Sequence, residues 1–113
     1  MEYLGNVGGS ISGSITGTIE DISKYSFIII ITHYNQNPSY ENPDIILASS
    51  SYPINFVAKT DAIVLNQEYI TTAYWGYNNS IYFNFTFLSN TSMKLRLDNV
   101  TTGTYYSYVY GIK

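Results

Sequence analysis

Cysteine is absent from these 113 residues, and charge is scarce. Without cysteine there is no disulfide framework, no thiol catalysis and none of the usual structural zinc sites. The compartment stays open, because virion and bacterial surface proteins also do without disulfides. Charged residues make up 12% of the chain, where an average globular protein has about 25%. The five basic residues, Lys24, Lys59, Lys94, Arg96 and Lys113, are scattered, and the formal net charge is −3. A phosphate-tracking surface needs clustered Lys and Arg, so nucleic acid is not an expected partner. Long apolar runs are missing too. Phe27-Ile28-Ile29-Ile30-Ile31 falls far short of the roughly 20 residues of a membrane-spanning helix, and the N-terminus has no basic stretch leading into an apolar one. The expectation is a soluble chain without membrane insertion or export signal. Helical spacing of apolar residues is also absent over any helix-length window.

What is present is alternation, tyrosine and turn residues. Hydrophobic residues make up 45% of the chain and aromatic ones 17%, so its surface must be built largely of Ser, Thr, Asn and Tyr. Residues 1–10, with Gly5, Gly8 and Gly9 among few apolar residues, read as a flexible lead-in. From Ile11 to Glu20, Ile11, Gly13, Ile15, Gly17 and Ile19 alternate with polar residues, which predicts one strand with a wet face and a neighbour filling the space above its glycines. A polar link ends at Lys24. The following segment, 25–33, is apolar on both faces and belongs in the centre of a covered sheet. Residues 34–43 form a Pro- and Asn-rich loop, the leading place for variable contacts. Short strands are expected at 44–49, 54–59 and 62–65, and a clearer one at 69–77, followed by turn residues 76–80. Residues 81–88 put Ile81, Phe83, Phe85 and Phe87 on one face, Ser89-Asn90-Thr91 makes a hairpin, and Met93, Leu95 and Leu97 alternate in the next strand. After a turn at 99–103, Tyr105, Ser107 and Val109 alternate with Tyr106, Tyr108 and Tyr110. The expected fold class is all-β, an antiparallel, jelly-roll-like β-sandwich of about seven to nine short strands spanning 11–113.

Chemistry is thinly signalled. His33 is the single histidine, and a triad or zinc site would demand partners that the chain hardly supplies. Glu20 and Asp21 are adjacent and diverge in a strand or turn, so they do not make a glycosidase pair, which needs two facing carboxylates about 5–9.5 Å apart. Asp44, Asp61, Glu68 and Asp98 could meet only through the fold. No catalytic residue, metal site or cofactor is expected, and the chain reads as a non-enzyme. Four Asn-x-Ser/Thr triplets, at Asn78, Asn84, Asn90 and Asn99, are what so Asn- and Thr-rich a chain produces by chance. Gly13 and Gly17 sit in a strand pattern and not before a helix, so they do not make a phosphate cradle. The best local ligand surface is Tyr74, Trp75, Tyr77, Asn78 and Asn79, because flat rings stack on sugar faces while amides both donate and accept. The competing reading makes Trp75, on one face with Tyr69 and Tyr77, a core anchor. Tyr106, Tyr108 and Tyr110 form a stripe suited to an oligomer interface, since tyrosine buries area yet keeps a water-tolerant hydroxyl.

Three segments in order carry a resemblance. They are Gly13-Ser14-Ile15-Thr16-Gly17-Thr18-Ile19, then Asp21-Ile22-Ser23-Lys24-Tyr25 running into Phe27-Ile28-Ile29-Ile30, and the closing Val109-Tyr110-Gly111-Ile112-Lys113. Together they resemble the C-terminal domains of bacteriophage and prophage tail or baseplate fibre proteins. The likeness covers the two ends of the chain better than its middle, and this chain is shorter than such fibres. The resemblance implies a component of the virion or of an extracellular surface, often a homotrimer beside other virion proteins, whose loops bind host cell-surface glycans or other receptors. It transfers no binding motif residue by residue. A purely structural virion or surface assembly module without ligand binding is the alternative.

Overall fold

Apolar residues at every second position give strands with one buried face. The strand Ser92–Asp98 shows the rule at its simplest: Met93, Leu95 and Leu97 are buried and the residues between them half-exposed. The computed structural model describes residues 1–34, 54–75, 78–98 and 103–113. Among these lie eight strands: β1 Glu2–Ile11, β2 Ser14–Thr18, β3 Phe27–Tyr34, β4 Phe56–Lys59, β5 Glu68–Trp75, β6 Asn78–Ser89, β7 Ser92–Asp98 and β8 Gly103–Ile112. They form two four-stranded sheets, ordered β1-β8-β3-β4 and β2-β7-β6-β5, with every pairing antiparallel. The protein is an antiparallel β-sandwich. First pairs with last in one sheet and second with seventh in the other, as in a wound-up jelly roll. The inner strands β3–β4 and β5–β6–β7 instead pair with their neighbours in sequence.

The core lies between the sheets. Phe83, Phe85 and Phe87 of β6 and Met93 and Leu95 of β7 have no exposed surface, and they face Ile28 and Ile30 of β3 and Val109 of β8. Each such side chain contributes about 1.5–3 kcal/mol by leaving water. β3 is buried on both sides, as its sequence requires. Its other face puts Ile29 and Ile31 with Tyr108 and Tyr110 in a separate apolar cluster on the outer side of the first sheet, joined by Tyr3, Tyr106 and Ile112.

Four sequence expectations are corrected. Residues 1–10 are no flexible lead-in: β1 pairs along β8 from Glu2↔Gly111 to Ile11↔Gly103, and Leu4 and Val7 enter the core. The pattern was hidden by a bulge between Tyr3 and Gly5, where one extra residue breaks the period-two parity. The stretch 11–20 is not one strand. β1 ends at Ile11, and the chain turns into the second sheet at Gly13, whose φ of +95° few side chains adopt. Beyond the corner, Gly17 does face a large neighbour, with Val7 over the place a Cβ would take. Residues 62–65 are not a strand, because a 3-10 turn at Thr60–Ala62 leads into a turn where Gln67 N–H donates to Val64 and Asn66 takes a φ of 65°. Asparagine tolerates that left-handed geometry. Finally, 78–80 belong to β6 and not to a turn, since Trp75 pairs with Asn78 across β5 and β6. Of the loop expected at 34–43, Tyr34 belongs to β3 and the rest lies outside the described residues, as do the strand expected at 44–49 and most of the turn at 99–103.

Register gives the sandwich two poles. The start of β1 and the end of β8 meet the start of β3 and the end of β4 through Glu2↔Gly111, Phe27↔Ile112 and Phe27↔Lys59. The β6–β7 turn joins this terminal pole by Ile19 N–H to Thr91 O and Ile22 N–H to Asn90 O, both 2.9 Å. At the far pole lie the ends of β1, β3, β5 and β7 and the starts of β6 and β8. The strand ends flanking 35–53, 76–77 and 99–102 are therefore all at the far pole.

Candidate functional site

The residues singled out for ligand contact sit at the far pole. Tyr74 and Trp75 close β5, Asn78 and Asn79 open β6, and Tyr77 lies between them outside the described residues. Register shifts between Ala73 and Trp75. Tyr69 itself belongs to the strand interior, where its ring meets Phe56 edge-on at 5.5 Å and its hydroxyl accepts from Val64 N–H at 2.8 Å.

The tyrosine stripe of β8 lies on the outer side of the first sheet. Tyr108 and Tyr110 are 3% and 1% exposed within the single chain, and Tyr106 is half-buried. Tyr3 of β1 joins them, 6.1 Å from Tyr108 and 5.7 Å from Tyr110 between ring centroids, and its hydroxyl accepts from Asn6. Of the proposed interface residues, Tyr106 is the one left with surface to offer a second copy. His33 pairs with Tyr106 across β3–β8, and Asp44 lies outside the described residues.

Charge, scarce in the sequence, is gathered by the fold into two places. On the outer side of the second sheet, Arg96 reaches across β6 to hold Glu68 through both carboxylate oxygens, at 2.8 and 2.7 Å, and also pairs with Asp98 on its own strand. The guanidinium keeps the Glu68 carboxyl below its ordinary range. Asn84, next to Arg96 across the pair, is wholly buried and donates to Arg96 O and Asp98 Oδ2. Glu68 and Asp98, distant in sequence, do converge, but each is engaged by the one Arg96 guanidinium between them and not aimed at the other across an open space.

The terminal pole holds the second group: Glu2, Glu20, Asp21, Lys24, Lys59, Asp61 and Lys113. Asp21 caps the 3-10 turn Ile22–Lys24 by accepting from the backbone N–H and hydroxyl of Ser23, at 2.9 and 2.6 Å, and these bonds hold its carboxyl below the ordinary range. The turn delivers Tyr25 onto the end of β8. A Cβ on Gly111 would come within 2.5 Å of the ring's Cγ, so the ring needs glycine beneath it. Its hydroxyl donates to the Glu2 carboxylate at 2.5 Å, Lys113 stands 3.4 Å from the same carboxylate, and its ammonium lies 5.7 Å from the centre of the Tyr25 ring. The bond to Glu2 pushes the Tyr25 hydroxyl up to about 12 and holds the Glu2 carboxyl down.

Beside this clasp opens a cleft of about 620 Å³, lined by Ser23, Tyr25, Ser26, Phe27, Lys59, Thr60, Asp61 and Asn90. A second depression of about 500 Å³ shares Tyr25 and contains Lys24 and Lys113. Backbone bonds fix the cleft walls: Thr60 N–H donates to Ser26 O at 2.9 Å, and Ile22 N–H ties the 3-10 turn to the hairpin. These residues were not prominent in the sequence, since they come from three separate segments, and the polar link at 20–24, the turn signal Thr60-Asp61 and the hairpin Ser89-Asn90-Thr91 marked turns without showing that they meet. Among the described residues no group of His, Cys, Asp and Glu could hold a metal ion, and no helix is long and apolar enough to cross a membrane. Comparisons with protein-family models, with curated proteins and with solved structures returned no match to this chain.

Proposed function

We propose that this chain is a recognition and assembly domain of a phage-type tail or baseplate fibre, which forms a homo-oligomer and attaches to host surface glycans or other receptors without catalysing a reaction. One observation carries the reading: Tyr74 and Trp75 at the end of β5 and Asn78 and Asn79 at the start of β6 lie at the pole opposite the one where β1 starts and β8 ends. A domain held at one pole and free at the other, repeated about a symmetry axis, gains attachment strength from effective concentration, so weak single contacts suffice. The three segments behind the fibre resemblance add support: the second and third meet where Tyr25 stacks on Gly111, and the first is bound to them by Ile19 and Ile22 on the β6–β7 turn.

The test is adsorption to host envelope fractions and a glycan array, together with the mass in solution. An oligomer that binds, and loses binding in Trp75→Ala with the melting temperature retained, supports the proposal. An oligomer that binds no fraction returns the domain to a purely structural module. A monomer without binding removes both readings.

A further inference from the structure

We propose that the cleft at the terminal pole is a binding site for a neutral saccharide, separate from any contact made at the far pole. Three features of the cleft carry this. Its walls are set before any ligand arrives, because the 3-10 turn Ile22–Lys24, the β6–β7 turn, the start of β3 and the 3-10 turn Thr60–Ala62 are tied to one another through backbone hydrogen bonds. Its polar groups are idle: among the described residues the side chains of Ser26, Lys59, Asp61 and Asn90 take part in no hydrogen bond or ion pair, although all four line the same space. Its size lies within the roughly 300–1,000 Å³ of small-molecule sites.

The chemistry selects the ligand class. Asp61 accepts two hydrogen bonds side by side and suits a pair of neighbouring hydroxyls. Asn90 both donates and accepts, Lys59 only donates, and Ser26 does either. Phe27, half-buried, supplies ring surface against which the C–H face of a sugar can lie, with the buried Tyr25 ring as part of the wall behind it. Lys59 and Asp61 carry opposite charges, so the cleft has no net charge of its own. That disfavours a phosphate or an acidic sugar, which would meet Asp61 unopposed once Lys59 was engaged. An apolar ligand would strand the four polar groups. A hydroxyl-rich neutral ring satisfies them all, and the open rim implies weak, exchangeable binding that repetition around an oligomer would strengthen.

The experiment is a titration of the isotope-labelled full chain with galactose, glucose, mannose and N-acetylglucosamine, followed by backbone amide shifts, with glycerol phosphate as the charged comparison. Expected are shifts at Ser23, Ser26, Lys59, Asp61 and Asn90, weakened about tenfold in Asp61→Ala and in Asn90→Ala and unchanged in Trp75→Ala. Because neither Asp61 nor Asn90 uses its side chain within the fold, both variants should melt with the wild type. Silence at the cleft with every sugar overturns the inference, and if host adsorption persists in that case, the attachment reading stands alone. Shifts that survive both cleft substitutions, or that glycerol phosphate produces in preference to the sugars, overturn it as well. Cleft shifts lost in Asp61→Ala while host adsorption is unaffected support two separate sites.

Discussion

Thr32 and Ser107 face each other across β3 and β8 on the core side of the first sheet, 1% and 0% exposed, and their hydroxyls share a hydrogen bond of 2.6 Å. Among the described residues no other group bonds either hydroxyl, so the two satisfy each other. Thr32→Val keeps the shape and removes one hydroxyl, which leaves the Ser107 hydroxyl buried without a partner at a cost of about 1–3 kcal/mol. Ser107→Ala strands Thr32 at a similar cost, with a small cavity in addition. In the double variant both polar groups are gone and an apolar contact replaces them, so the total should fall within about 1 kcal/mol of wild type. The cycle then gives a coupling on the order of 2 kcal/mol, opposite in sign to simple accumulation. Urea denaturation with a common slope measures it, and thermal melting should show losses of about 4 °C per kcal/mol in each single variant, largely recovered in the double. Single variants that each cost less than about 0.5 kcal/mol, or a double variant whose loss equals their sum, would refute the view that this pair is dry and self-contained.

Glycine positions should separate by mechanism. A Cβ on Gly8 would lie 2.2 Å from the Tyr105 carbonyl oxygen and 2.6 Å from Tyr106 Cα, so Gly8→Ala should cost about 3 kcal/mol or more by forcing β1 from β8. Gly13→Ala meets open space and only a strained φ, for about 1 kcal/mol; equal losses in denaturant would contradict the assignment. Stability should also fall at both ends of the pH scale. Tyr25 is raised from an ordinary 10.0 to about 12, so its contribution is complete below the lower value and disappears as pH rises through the higher. The alkaline loss should shrink in Tyr25→Phe, and an unchanged alkaline limb would count against the clasp. Glu2, Asp21 and Glu68 are lowered from 4.5, 3.8 and 4.5; their contribution is complete above those values and is lost as pH falls through the lower folded ones. Glu68→Gln should cost no more than about 1 kcal/mol, because the pair with Arg96 is a third exposed and screened by water, and added salt should reduce the difference from wild type.

Most strands were legible because their signal is local. The alternation in 81–88, 92–98 and 105–110 places Phe83, Leu95 and Val109 inward wherever those strands end up. The apolar two-sided segment before His33 could only be a covered strand. Legibility failed wherever parity was interrupted. The bulge near Tyr3 disguised β1 as a linker, and the alternation running unbroken from Ile11 to Ile19 concealed a passage from one sheet to the other at Gly13. Asn84, polar and alternating outward, is wholly buried because Arg96 and Asp98 from the next strand take up its donors.

By itself, the sequence determined the class: a period of two, repeated with turn residues between, forces stacked antiparallel sheets, since each strand must hide one face from water. It also put Phe83, Phe85, Phe87, Met93, Leu95 and Leu97 on apolar strand faces, where they form much of the core. Only the tertiary structure decided partners and places: that the two ends of the chain lie side by side, that Arg96 joins two distant carboxylates, and that Ser26, Lys59, Asp61 and Asn90 surround one cleft. Alternation is a property of neighbours along the chain and costs nothing to read. Convergence depends on register between strands far apart in sequence, where one inserted residue turns a face from the core to the solvent.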